Sequence, residues 1–355
     1  MFNQNLKRIG FACKYMHPDQ TQKPKILKEI QSQYTERSTT ITWLNRQTRD
    51  IAEQRLYEIA FDNVANLERL IRYVGGLPQQ LRMVRIGSNL LPAYTHGDWA
   101  YFYRDRDLQE RLERAYSGVG EIARELDVRL SMHPGQFTVL ASDNPDVVER
   151  SIEEFEYHAD IIRWMGYGQK WQDFKCNVHI SGRQGPAGIK AVLPRLSTEA
   201  RNCITIENEE NAWGLDATLE LEKDVALVLD IHHHWIKTGE YIEADDDRIK
   251  RIINSWRGVR PAMHYSVSRE DLLQDFDHTT RPDMDSLLES GYKKQKLRAH
   301  SDYMWNDACN DWALSHYKWA DIMVEAKMKN LASAPLLQRH FLNKDPFTGF
   351  ERKAA

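Results

Sequence analysis

Eight short apolar runs punctuate this chain: 7–12 (KRIGFA), 82–87 (RMVRIG), 128–132 (VRLSM), 175–180 (KCNVHI), 203–207 (CITIE), 226–231 (ALVLDI), 261–266 (PAMHYS) and 321–325 (DIMVE). They are rich in Val, Ile, Leu and Met and too short for buried helices, which is the pattern of strands covered on both faces. Between them the apolar spacing turns helical. Leu56, Ile59, Leu67, Leu70, Ile71 and Val74 keep helical spacing over 55–74. Over 144–166, Asn144 and Pro145 supply a cap and a first-turn proline ahead of Ile152, Phe155, Ile161, Ile162 and Met165. Repeated strand–helix alternation predicts an α/β fold, a (β/α)8 TIM barrel, as a single domain over 1–330 with a C-terminal extension over 331–355.

Two connections are longer than ordinary loops. Residues 13–54 follow the first strand and 267–312 follow the seventh. Both leave from C-terminal strand ends and would overhang the mouth of the barrel. Their aromatic residues (Tyr34, Trp43, Phe276, Tyr292, Tyr303, Trp305) argue for ordered binding loops over disordered insertions.

Composition narrows the class without naming a chemistry. The 355 residues are 41% hydrophobic and 28% charged, as in ordinary globular proteins. No apolar stretch approaches the about 20 residues a bilayer demands, and the opening MFNQNLKRIG lacks the pattern of a signal peptide. Cys13, Cys176, Cys203 and Cys309 are scattered, which fits a reducing, cytoplasmic setting. The net charge of −4 gives no global footprint for nucleic acid, so any basic surface is local, with Lys7, Arg8, Lys14, Arg183 and Lys190 the candidates near the mouth.

The chemistry lies where six runs end: His133, His179, Glu207, Asp230, His264 and Glu325. In a closed parallel barrel these positions converge on one mouth. Each residue alone could be a hydrogen-bonded core group, but so many unpaired polar groups at one level would be costly without metal. Loop residues His96, His233 and His300 add to the set; of the triplet His232, His233 and His234, one or two are bystanders if the chain is extended there. Imidazoles with carboxylates and no thiolate favour Mn²⁺, Zn²⁺ or Fe²⁺ over a structural zinc. Nine candidates exceed the needs of one ion, and Glu207, on a central strand, is the expected bridge between two or three ions that would drive a phosphoryl displacement.

At the level of motifs, RLSMHPGQF (129–137), VHISG (178–182), ENEE (207–210), LDIHHH (229–234) and VEAK (324–327) resemble the UV damage endonucleases, relatives of endonuclease IV among the xylose isomerase-like barrels. The resemblance runs from about Arg8 to Lys327. It implies a TIM barrel and a metal-dependent endonuclease that cuts the phosphodiester 5′ to a lesion. The implied ligands are His96, His133, His179, Glu207, Asp230, His233, His264, His300 and Glu325, with Glu207, His133 and Glu325 central to catalysis. Gln136 and Phe137 match the pair that such enzymes push into the duplex, where an aromatic ring and an amide fill the gap left by displaced bases; the alternative is that Phe137 caps the core. Phe11 and Tyr15 join the implied lesion-binding group. The implied partner is damaged double-stranded DNA, bound by a monomer with two or three divalent ions, Mn²⁺ first, and neither a membrane nor an obligate protein partner.

The chain departs from the pattern of the family it resembles at three places. Phe137 stands for a common tyrosine, Tyr15 for an expected asparagine, and Ala262 for a lysine that can be carboxylated near the metals. Two other functions share the strand-end ligands, an apurinic endonuclease and a metal-dependent sugar isomerase or epimerase. The isomerase predicts a closed small-molecule pocket and gives no reason for an exposed Gln136–Phe137 step.

Overall fold

The computed structural model describes residues 2–344. All eight runs form strands: β1 (Ile9–Ala12), β2 (Met83–Arg85), β3 (Arg129–Met132), β4 (Lys175–His179), β5 (Ile204–Glu207), β6 (Ala226–Val228), β7 (Ala262–Tyr265) and β8 (Asp321–Val324). They pair in parallel in the order β6-β5-β4-β3-β2-β1-β8-β7. The ring closes just past β6, where Asp230 bridges His264 and the His264 N–H donates to the Leu229 carbonyl at 2.9 Å. This is the (β/α)8 barrel that the run spacing predicts.

The period-two rule explains what faces inward. Ala12, Met83, Ala226, Val228, Ala262 and Met323 pack with Trp256 into a small apolar plug inside the ring. Two residues beyond Met83, Val228, Ala262 and Met323 stand Arg85, Asp230, His264 and Glu325. The same parity therefore carries these four into the mouth. At the opposite end a buried triad seals the barrel: Asp321 accepts from Arg129 Nη1 and Arg260 Nε, both at 2.7 Å. Removing the Asp321 carboxylate would leave buried arginine charge uncompensated, at a cost of about 3–5 kcal/mol.

The helices cover the outer face as the sequence predicts. Helix Arg49–Gly75 buries Leu56, Ile59, Leu67, Leu70, Ile71 and Val74. Helix Pro145–Trp164 starts at Asn144, whose Oδ1 accepts from the Asp146 N–H at 3.0 Å. The C-terminal boundary needs correction. Helix Asn330–Lys344 buries Ala332, Leu336 and Leu337 in the same core and packs on β1, so the chain from 331 to 344 is the covering helix of the last βα unit. The remaining residues of the expected extension, 345–355, lie outside the described part.

The long connections are ordered. Segment 13–54 contains helices Pro24–Ser32 and Ile41–Leu44. Segment 267–312 contains Met284–Glu289 and Lys294–Leu297 and builds its own small core from Leu273, Met284, Leu287 and Leu297 against Trp235 and Ile236. Gly182 makes one tight turn possible at the mouth: its φ is +97°, and a Cβ there would lie 2.3 Å from the Ala141 carbonyl oxygen.

Candidate metal centre

Glu207 ends β5 with no solvent exposure, and parallel register sets it beside His179 at the end of β4. Four imidazoles from four segments surround its carboxylate: His264 Nδ1 at 3.1 Å, His233 Nδ1 at 3.4 Å, His179 Nε2 at 3.5 Å and His133 Nε2 at 3.8 Å. Three overlapping groups have ligand atoms within 4.8 Å of one another: His133, His179 and Glu207; Glu207, Asp230 and His233; Asp230, His264 and Glu325. Glu207 and Asp230 each belong to two groups, as bridging carboxylates would.

Neighbouring side chains orient this set. Thr205 Oγ1 donates to Asn177 Oδ1 at 2.8 Å, and Asn177 Nδ2 donates to Glu207 Oε2. Asn208 clamps Asp230 by accepting from its N–H and donating to its carbonyl, both at 2.9 Å. Arg85 pairs with Glu325. Lys175, on β4, crosses the interior to place Nζ 2.7 Å from His264 Nε2. A lysine thus stands at the site although position 262 carries a buried alanine.

The residues fit a cation. Glu207 Oε1, Asp230 Oδ2 and His264 Nδ1 are buried with no hydrogen-bond partner. Three unmatched ligand-type atoms in one buried cluster are costly, and a divalent ion would satisfy all of them. Electrostatics point the same way. Burial alone would raise the Glu207 carboxyl, but His264 and His179 hold it well below the usual range. Burial, reinforced by Glu207 and Glu325, pushes Asp230 up to about 7. Burial opposes charge on His233, yet Asp230, Glu207 and Glu210 push it up to about 9. Burial lowers Lys175 to about 7 and His264 to about 4. Both upward shifts mark a cluster that favours added positive charge, as an entering cation would supply.

Seven of the nine expected ligands are brought together. His300 stands at the edge, its Nδ1 4.0 Å from Glu325 Oε2. His96 stays on its loop, where Nδ1 accepts from the Asp98 N–H at 3.2 Å, and belongs to none of the three groups. The histidine triplet is helical rather than extended, because Asp230 caps helix Ile231–Thr238 through the His233 N–H. The helical twist sends His232 to Ser266 and Ser268, and His234 to Glu240.

The expected DNA-contacting residues divide. Gln136 and Phe137 occupy a turn closed by the Thr138 N–H and the Gly135 carbonyl, just past His133. Phe137 is 85% exposed, so it does not cap the core. Phe11 and Tyr15 need correction. Phe11 has the opposite parity to Ala12, faces the helices and is 1% exposed, which leaves no ring face for a base. Tyr15 is buried against Tyr34 and Tyr73, with centroids 4.4 and 4.7 Å away. Lys7 and Arg8 precede β1 and so lie at the end opposite the mouth, where buried Arg8 pairs with Asp127.

Arg85, Lys175 and Asn177 were not anticipated. Their signal was present: charged or amide side chains inside otherwise apolar strands, at the parity of the ligands.

Comparisons with known proteins give the family and the fold. The sequence profile of UV-endonuclease UvdE matches residues 7–345. The UV-damage endonuclease of Schizosaccharomyces pombe is 27% identical over 353 residues, which cover 96% of this chain and 51% of that protein. The UV DNA damage endonuclease of Bacillus cereus is 23% identical over 314 residues, 85% of this chain and 88% of that one. This chain therefore spans about half the length of the S. pombe relative. The crystal structure of SacUVDE shares the fold, with a TM-score of 0.68 at 20% identity, covering 95% of this chain and 98% of that one.

Proposed function

Because this chain belongs to the UV-endonuclease UvdE family, we propose that it is a metal-dependent DNA-repair endonuclease that hydrolyses the phosphodiester 5′ to a UV photoproduct. One observation carries the reading: a buried, four-imidazole carboxylate centre opens beside an exposed aromatic step. A closed sugar pocket would have no use for that step.

His133, His179, Glu207, Asp230, His233, His264 and Glu325 would hold two or three divalent ions, Mn²⁺ foremost, with His300 and His96 as further donors on loops that overhang the mouth. Ions in such a site supply Lewis acidity, acidifying water and offsetting charge that builds on a phosphate. The chain's own groups set the geometry. Glu207, which would be shared between ions, is fixed by Asn177; Arg85 fixes Glu325; His133 stands between the centre and the Gln136–Phe137 turn. Phe137 enters the stack where the lesion has weakened pairing, and Gln136 offers hydrogen bonds to the base left behind. The scissile bond is thereby presented to Glu207, His133 and Glu325.

All proposed ligands come from one chain, which supports a monomer acting on damaged duplex DNA. The four free cysteines fit a reducing, cytoplasmic setting, and among the described residues no helix is long and apolar enough to cross a membrane. The test is to incubate a duplex carrying one defined photoproduct with the protein and Mn²⁺ and to map the break. A nick immediately 5′ to the lesion is expected. A break only at abasic sites, or none, would overturn the reading.

A further inference from the structure

Two lysines flank the mouth in an unusual backbone state. Lys14 follows β1 with φ +75°, and Lys329 follows the neighbouring β8 with φ +52°. Both are in the left-handed region that side chains other than glycine's and asparagine's rarely adopt, and such strain gathers at functional positions. Neither sits there by accident of a loose loop. Asn330, adjacent to Lys329 and itself buried, accepts from the Met16 N–H at 2.8 Å and donates to the Met16 carbonyl at 2.9 Å. Between Lys14 and Met16, Tyr15 is packed against Tyr34 and Tyr73. The two lysine-bearing segments are therefore stapled together.

The staple holds Lys329 within electrostatic reach of Cys13, Arg85, Glu325 and Lys14. His300 also feels the Lys329 charge. Among the described residues neither ammonium makes an ion pair or hydrogen bond. Nearby cations are already engaged: Arg85 by Glu325, and Lys327 by Asp302 at 3.0 Å. Two adjacent unpaired cations on strained, clamped backbone call for an anion.

We propose that Lys14 and Lys329 form a two-ammonium cradle for one phosphodiester of the DNA backbone, on the β1–β8 side of the mouth and outside the metal-ligand set. This rests on the endonuclease reading above. The cradle binds by charge and not by base sequence, so it serves damaged and undamaged duplex alike and fixes the strand's register relative to the centre. It also supplies local basicity in a chain whose net charge is −4.

The test compares wild type with Lys14→Gln/Lys329→Gln, on a photoproduct duplex and its undamaged counterpart, together with metal content. The double variant is expected to bind both duplexes about tenfold more weakly, with the loss in KM rather than kcat and with metal content retained. The slope of log affinity against log salt should fall by about 0.9, the value for one phosphate contact. Lys14→Arg/Lys329→Arg should recover most of the loss. With methylphosphonate placed at single linkages, one position should weaken wild type and leave the Gln variant unmoved. A double variant with wild-type affinity and salt slope, or one as sensitive as wild type to every neutral linkage, overturns the cradle. Wild type that cuts the lesion duplex while either result holds leaves the endonuclease reading standing. Wild type that neither binds nor cuts that duplex overturns both.

Discussion

Replacing Phe137 by alanine separates damage recognition from folding and chemistry. The ring is 85% exposed, so its removal opens no cavity; surface changes of this kind stay within about 0.5 kcal/mol of wild-type stability. Its stacking surface is what the variant loses. Base–aromatic stacking contributes about 1–3 kcal/mol per base, and each 1.4 kcal/mol is about tenfold in affinity. Phe137→Ala should therefore bind a photoproduct duplex roughly five- to 150-fold more weakly by fluorescence anisotropy. Undamaged duplex, which stays stacked, should change little. Phe137→Tyr should retain most of the affinity, since the stacking face remains. Metal content should be unchanged in both variants, because a phenyl ring coordinates no hard or borderline metal. Wild-type affinity for the lesion, or an equal loss on undamaged DNA, would refute the wedge; lost metal would make Phe137 a support of the centre instead.

Two further outcomes follow from buried groups. His158 and His316 are held at about 4 by burial, below the unfolded value near 6.5. Their folded-state pKa is depressed, so their stabilising contribution is complete above pH 6.5 and is lost as pH falls toward 4. At about 1.4 kcal/mol per unit that is about 3 kcal/mol each, measurable as falling denaturant midpoints between pH 7 and 4, and His158→Gln should flatten the fall; a flat profile in wild type would contradict it. Asn177→Ala removes the donor that orients Glu207, and loss of such a partner should weaken metal binding by about ten- to hundredfold. Calorimetric titration showing wild-type affinity would sink that role.

How much of this was legible before the structure depends on parity and on partners. Strands covered on both faces read as unbroken apolar runs, so all eight appear in the sequence, and a polar side chain at the close of six of them marks the mouth. Which residues face inward is hidden by the same uniformity. Phe11 looked available for DNA because nothing in IGFA distinguishes the helix-facing Phe11 from the lumen-facing Ala12. Arg85, Lys175 and Asn177 share the ligands' parity, but only their neighbours in space give them roles. The triplet His232–His234 invited an extended reading because Asp230, seen as a strand end, doubles as a helix cap. His96 stays outside the three ligand groups because its loop holds the ring against the Asp98 N–H. The helix from Asn330 was misread as an extension because its helical signal is weak and Pro335 interrupts it; packing on β1 supplies what propensity does not.

The central claim is that Glu207 would hold the divalent cations on which the cut depends. Its most direct test measures metal content and nicking together in wild type and in Glu207→Gln, which keeps size and hydrogen-bonding shape while removing the bridging charge. Folding should survive, because the carboxylate is no part of the apolar core. The expected result is that Glu207→Gln binds less metal and leaves the photoproduct duplex intact, and that wild type stripped by a chelator is inactive until Mn²⁺ is restored. Nicking at the wild-type rate by Glu207→Gln, or by wild type after exhaustive chelation, would contradict it.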